Sequence, residues 1–296
     1  MIAVDLRGKA ALVTGGTRGL GKAIGLELAR AGATVFLTHR WGSADEGEIE
    51  AEFRAAGAPA PAIVECDASD ADATRELMGL IRERAGSGAG SGALDIVVSN
   101  VAFSKVVRDI DDLKKSALDL SLGYSAWPVV DLVQAAAKAF GRYPRYVLGI
   151  SSDGPEVCHE GYDLAGVSKA VLETLCRYLA LRLKRHGVRV NAVRPGFLDT
   201  ASSRATFGDA VVEEARGRVG ELFLDPGQVA RACLALCSGL MDAVTGQVIT
   251  VDEGWSLVSP IAFLTGRGTP GAFPRGADAR AGADAGAGVD GAEGRP

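Results

Sequence analysis

Two hydrophobic patterns alternate between residue 8 and about residue 255. Short, β-branched, mostly apolar runs fall at Ala10–Thr14, Thr34–Thr38, Ala62–Cys66, Asp95–Ser99, Tyr146–Ser151, Arg189–Val193 and Gln247–Val251. Stretches with helical spacing separate them, among them Gly19–Ala31, Glu46–Gly57, Ala71–Ala85, Leu118–Phe140, Tyr162–His186 and Pro226–Ser238. Strands that are apolar on both faces must be covered on both. The alternation therefore predicts an α/β fold: a doubly wound, parallel, seven-stranded sheet inside a three-layer α/β/α sandwich. No linker interrupts it, so residues 1–266 read as one domain.

Some segments depart from this alternation. Pro128 falls inside Leu118–Phe140 and should kink that helix or mark a late first turn. Gly86–Gly92 (GSGAGSG) reads as a mobile surface loop. Residues 267–296 are mostly Ala, Gly, Asp, Arg and Pro. They bury too little surface to offset their ordering entropy, so a disordered tail is expected. Residues 196–224 have weak periodicity but carry Phe197, Phe207, Leu222 and Phe223, which suggests a mobile lid over an apolar ligand.

Composition narrows the function. The 296 residues are 47% hydrophobic and 23% charged, an ordinary globular balance, and the net charge of −5 offers nucleic acid no electrostatic footprint. Apolar runs stay short of the roughly 18–20 residues a membrane span needs. Met1–Arg7 looks like a strand and unlike a secretory signal, so no secretion is expected. Five cysteines without a C-x-x-C pair, and three histidines, argue against disulfides and against a metal site. Cys233 and Cys237, four apart in an apolar helical pattern, read as core residues. A reducing, cytoplasmic setting is expected.

The sharpest local signal is Thr14-Gly15-Gly16-Thr17-Arg18-Gly19-Leu20-Gly21, between the first strand and the first helix. Glycines there let the backbone turn tightly and approach a pyrophosphate seated on the helix N-terminus, the arrangement of a Rossmann-type dinucleotide site. Gly15, Thr17, Arg18, Gly19, Leu20 and Gly21 are the expected contacts. The second strand ends Thr38-His39-Arg40, with no acid there to repel a ribose 2′-phosphate. Arg40 can pair with such a phosphate and Arg18 can approach from the other side, which points to NADP(H).

The T-G-x-x-x-G-x-G spacing resembles the short-chain dehydrogenase/reductase superfamily, and the resemblance runs over about Arg7–Trp255. Further motifs match in order. Cys66-Asp67, with Ala68 following, is similar to the family's adenine-contacting segment. Ser99-Asn100-Val101-Ala102 stands where N-N-A-G is usual and keeps the second Asn. Pro195-Gly196-Phe197 through Thr200 resembles the stretch that holds the nicotinamide carboxamide. Thr245 through Trp255 resembles the family's closing strand.

At the chemical end the chain departs from the family. Its members usually carry a Ser, then Tyr-x-x-x-Lys on one helix. Lys169 in Ser168-Lys169-Ala170 fits the Lys, which orients the nicotinamide ribose, but four residues earlier stands Ala165. Tyr162 lies seven residues before Lys169, nearly two helical turns and about 10.5 Å along the axis, on the same face. This Tyr-x6-Lys spacing resembles the enoyl-acyl-carrier-protein reductases, in particular their NADPH-dependent branch. Ser152 fits the catalytic Ser position. Where many relatives place an Asn, the spacing lands on Ser125, which cannot supply an amide's donors and acceptor. Cys158 and His159 lie on the loop Asp153–Gly161, and His159 is an alternative acid.

The resemblance implies an NADPH-dependent reductase of a conjugated C=C bond, with Tyr162 stabilising an enolate oxygen and Lys169 holding the ribose. The substrate is read as small or carrier-bound and apolar, and the protein as a homodimer or homotetramer joined through Leu118–Phe140 and Tyr162–His186. A ketoreductase or imine reductase on the same fold is the competing reading. A catalytically silent NADP-binding regulator or scaffold is a third, from another class.

Overall fold

The structure is a computed structural model that describes residues 4–40, 45–86, 92–219 and 223–258. The seven expected strands form: β1 (Ala10–Val13), β2 (Thr34–His39), β3 (Ala62–Glu65), β4 (Leu94–Ser99), β5 (Tyr146–Ile150), β6 (Arg189–Pro195) and β7 (Val248–Val251). They pair in parallel in the order β3-β2-β1-β4-β5-β6-β7, a doubly wound sheet whose order reverses between β1 and β4.

Alternation within each strand feeds both cores. Ala11 and Val13 of β1 pack under helices α1 (Gly19–Arg30), α2 (Glu46–Ala55) and α9 (Pro226–Cys237). Ala10 and Leu12 pack under α3 (Ala71–Gly86) and α5 (Pro128–Phe140) on the opposite face. The second face continues to α6 (Asp163–Leu183), which lies over β5 and β6. Cys176, Cys233 and Cys237 are buried among these apolar residues, and Cys158 is exposed.

One irregularity has a clear cause. The β1–β4 register shifts between Ala10 and Ala11, which pair with Leu94 and Ile96, so Asp95 bulges out. Its buried carboxylate accepts the Ala10 N–H at 3.1 Å and lies 2.8 Å from Arg142 Nη2.

The helical expectations need three corrections. Leu118–Phe140 is two helices, α4 (Lys115–Ser125) and α5, because Pro128 occupies the first turn of α5, where its missing N–H costs nothing. Tyr162 stands at the N-cap of α6, outside the helix, and Lys184–His186 close it as a 3₁₀ turn ending at left-handed Gly187. The weakly patterned stretch after β6 contains α7 (Ala201–Phe207) and α8 (Asp209–Val219). Both are largely polar and tied by ion pairs: Arg204 reaches Asp199, Asp209 and Glu213 at 2.6, 3.1 and 2.7 Å. Residues 87–91, Leu222 and the expected tail 267–296 lie outside the described residues.

Phe53 is fully buried in the core beneath α1 and α2. Phe53→Ala should cost about 3–5 kcal/mol, read as a lower urea midpoint at unchanged m-value. A loss under about 1 kcal/mol would show that this core closes over the deleted ring.

Candidate active site

The strand-order reversal leaves a crevice at the carboxyl ends of β1 and β4, and two adjoining cavities occupy it. One, of about 310 Å³, is lined by Gly15, Arg18, Gly19, Leu20, Gly21, Asn100 and, beyond them, the chemical end. The other, of about 390 Å³, runs from Gly15, Thr17 and Arg18 to His39, Arg40, Cys66 and Ala68. Together they give a continuous trough with the glycine loop at its middle.

The loop is built for close backbone approach. A Cβ on Gly21 would stand 2.3 Å from Gly15 O and 2.6 Å from Asn100 Nδ2. Asn100 fixes the loop from β4: its Nδ2 donates to Thr14 O at 3.0 Å and Gly15 O at 3.1 Å. At the N-cap of α1, Arg18 makes no side-chain capping bond, so the helix meets the trough amide-first. His39 Nδ1 is buried without a partner. An uncapped helix, a cradle that any side chain would fill and an orphaned imidazole nitrogen fit a dinucleotide.

Arg40 and Asp67 contact each other at the far end of the trough. Asp67 is not part of the trough lining; its carboxylate lies 2.7 Å from Arg40 Nη1 and accepts from Ser69 N at 3.0 Å and Tyr124 Oη at 3.3 Å. The Arg40 guanidinium carbon sits 5.4 Å from the Tyr124 ring centroid. Tyr124, on α4, was not legible as a site residue.

At the other end, Ser152, Tyr162, Lys169, Pro195, Gly196, Phe197 and Thr200 line one cavity. Lys169 is buried and its Nζ donates to Ile150 O at 2.7 Å. Burial pulls its proton affinity down to about 8. Burial likewise raises the Tyr162 phenol, a shift that a hydrogen bond with Ser152 opposes. Tyr162 is held from outside its helix: a Cβ on Gly154 would stand 2.7 Å from its ring and 2.9 Å from Gly166 Cα. Only a bare backbone lets the loop after β5 lie against both.

His159 Nε2 lies 2.8 Å from Asp153 Oδ2, and that bond raises the imidazole above its ordinary value. Its ring meets Tyr162 edge-on at 5.9 Å, and Phe207 stacks on Tyr162 at 5.9 Å. Phe197 touches Phe207, and Phe223 touches Phe197, at 5.6 and 5.0 Å. Three phenylalanines of the expected lid thus form one aromatic wall beside the phenol. Thr200 caps α7 through a reciprocal bond pair with Ser203 and packs 3.6 Å from where a Gly19 Cβ would be.

A buried ion pair supports this end. Arg194 Nη2 donates to both oxygens of Glu173 at 2.9 and 3.0 Å, and Ser151 Oγ donates to Glu173 Oε1 at 2.7 Å. Arg194 Nη1 also lies 2.7 Å from Glu156 on the loop after β5. The signal was present in the sequence: a carboxylate within Ala170–Cys176 and a guanidinium closing Val190–Arg194 each interrupt apolar runs that pack on one another. Ser125 also has a defined place, since its Oγ donates to Phe103 O at 3.1 Å and accepts from Phe103 N at 3.1 Å.

A profile of the family described as Enoyl-(Acyl carrier protein) reductase matches residues 15–256. A 1-cyclohexenylcarbonyl-CoA reductase of Streptomyces collinus is 30% identical over 261 residues, covering 87% of this chain and 90% of that protein. A tropinone reductase homologue of Arabidopsis thaliana is 32% identical over 264 residues, covering 86% and 94%. A short-chain dehydrogenase of Burkholderia cenocepacia J2315, solved in complex with NADP, superposes with a TM-score of 0.71 at 28% identity, covering 83% and 97%.

The cradle geometry predicts that Gly21→Ala, whose methyl would collide with Gly15 O and Asn100, weakens dinucleotide binding about 100-fold or more while the protein stays folded. Fluorescence titration with NADPH, alongside circular dichroism, reads both. Near-native affinity would show that the loop and Asn100 can move aside together.

Proposed function

The chain belongs to the short-chain dehydrogenase/reductase superfamily of oxidoreductases, and from that premise we propose that it is an NADPH-dependent reductase of a conjugated C=C bond in an apolar acyl thioester, free or carrier-bound. The observation that carries this reading is the placement of Tyr162: with Ala165 at the usual tyrosine position, the phenol in the cavity with Lys169 comes from seven residues upstream.

The dinucleotide would lie along the glycine loop, with its pyrophosphate on the N-terminus of α1. His39, Arg40 and Ala68 border its adenosine end, with Asp67 set behind Arg40. Arg40, held by Asp67 and Tyr124, and Arg18 supply positive charge for a 2′-phosphate, and the end of β2 carries no acid to oppose it. Lys169 would hold the nicotinamide ribose, and Pro195, Gly196, Phe197 and Thr200 would border the nicotinamide. When bound, the cofactor would supply a hydride to the β-carbon of the acyl group, and a proton from solvent would complete the reduction at the α-carbon. Tyr162 donates a hydrogen bond from its hydroxyl to the thioester oxygen as charge gathers there. Burial keeps that phenol protonated, so its hydroxyl is available as a donor. Ser152 lines the same cavity and opposes the rise that burial imposes on the phenol. The aromatic wall of Phe197, Phe207 and Phe223 excludes water as α7 and α8 close over the site.

Apolar side chains exposed on α4 and α6, among them Leu120, Val167, Tyr178 and Leu181, supply the surface for a homodimer or homotetramer. Among the described residues no helix is long and apolar enough to cross a membrane.

NADPH oxidation with crotonyl thioester and with a panel of ketones tests the reading: turnover of the thioester is expected, and reduction of ketones alone would replace it by a ketoreductase. Tyr162→Phe should lower kcat about 100-fold or more at unchanged NADPH affinity; a near-native kcat removes the phenol from the chemistry. Arg40→Ala should weaken NADPH far more than NADH in parallel titrations, and equal losses would contradict a 2′-phosphate contact.

A further inference from the structure

The two departures from the superfamily pattern meet in space. Ala165 on α6 and Ser125 at the end of α4 border one recess of about 100 Å³. It shares Ala102, Tyr162, Lys169, Ser202 and Thr206 with the main cavity, so it is a side chamber of the reaction site. Its volume is several times the roughly 10–15 Å³ that one water needs.

Lys105 and Ser202 also line the chamber, and three of its hydroxyls are spent on nearby backbone. Ser125 Oγ donates to Phe103 O at 3.1 Å, Ser104 Oγ to Lys105 O at 3.2 Å and Thr206 Oγ1 to Ser202 O at 2.9 Å. Ala102, Phe103, Val106, Gly161 and Ala165 supply the apolar part of the wall. The chamber borders Tyr162, whose hydroxyl is read above as meeting the substrate carbonyl oxygen. A substituent on the carbon next to that carbonyl is therefore the part of the substrate placed to enter it.

We propose that this chamber receives an apolar branch on the α-carbon of the acyl group, so that the enzyme favours α-branched or cyclic acyl groups over linear ones, with Ala165 as the specificity-determining residue. This rests on the assignment of Tyr162 to the carbonyl oxygen. A larger side chain at 165 fills the chamber and removes the space for the branch while leaving the dinucleotide trough and Tyr162 in place.

The test compares 2-methylcrotonyl with crotonyl pantetheine thioesters at saturating NADPH, in the wild type and in Ala165→Leu. Calorimetric binding of the saturated 2-methylbutyryl and butyryl thioesters gives a second readout. The branched-to-linear ratio of kcat/KM should fall about 10-fold or more in the variant, and the ratio of affinities should fall with it. Unchanged ratios overturn the proposal. Ala165→Val should give an intermediate shift, and it carries the comparison if Ala165→Leu does not fold. If no enoyl thioester is bound or reduced, the thioester reading falls. The same ratio is then read with 3-methylbutan-2-one against butan-2-one: a fall in the variant supports the chamber's role, and no change overturns it.

Discussion

The reversal of strand order between β1 and β4 is the constraint on which the site depends. The chain leaves β1 for α1 on one face of the sheet, whereas the connection after β4 leads to α4 and α5 toward the other. The carboxyl ends of these two adjacent strands are therefore left uncovered, and a trough opens there. The glycine loop closes its floor because Asn100, arriving at the end of β4, donates to the Thr14 and Gly15 carbonyls across the gap. One side chain thus couples the two strands that the topology separates and fixes the loop on which a pyrophosphate would rest.

Charge is handled in two ways beside this trough. Glu173 and Arg194 neutralise each other in the interior, and Ser151 supplies a further donor, so the pair locks α6 to β6 with its polar atoms satisfied. Lys169, one turn earlier on the same helix, instead donates a hydrogen bond to a neutral carbonyl of β5. Burial lowers its proton affinity, and no carboxylate among the described residues offsets that loss.

Replacing residues at a site moves work onto the surrounding backbone. Ser125 holds both the N–H and the C=O of Phe103, which shapes the loop after β4 in place of any longer side chain. Ala165 leaves room, and the phenol is supplied from the loop side by Tyr162, set against Gly154 and Gly166 where backbones nearly touch. The aromatic wall then packs from the far side, with Phe207 stacked on Tyr162. The position of the Tyr162 ring is thus fixed by three separate segments, the loop after β5, the start of α6 and α7.

The sequence by itself determined the layers, the seven strands and the glycine loop, because each rests on local rules: apolar residues on both faces of a strand, helical spacing and a glycine-rich turn between the two. It also marked Pro128 as a break, since a missing N–H acts locally. Tertiary structure alone decided what depends on residues distant in the chain. The weak periodicity after β6 gave no sign of α7 and α8, which carry ion pairs from Arg204 in place of an apolar stripe. The Glu173–Arg194 pair, the contact of Asp67 with Arg40 and the chamber between Ser125 and Ala165 each join elements that meet only when the sheet has formed. Hydrophobic pattern reports which face of an element is buried; it is silent on which polar group will stand opposite another, because that is set by crossover geometry and register.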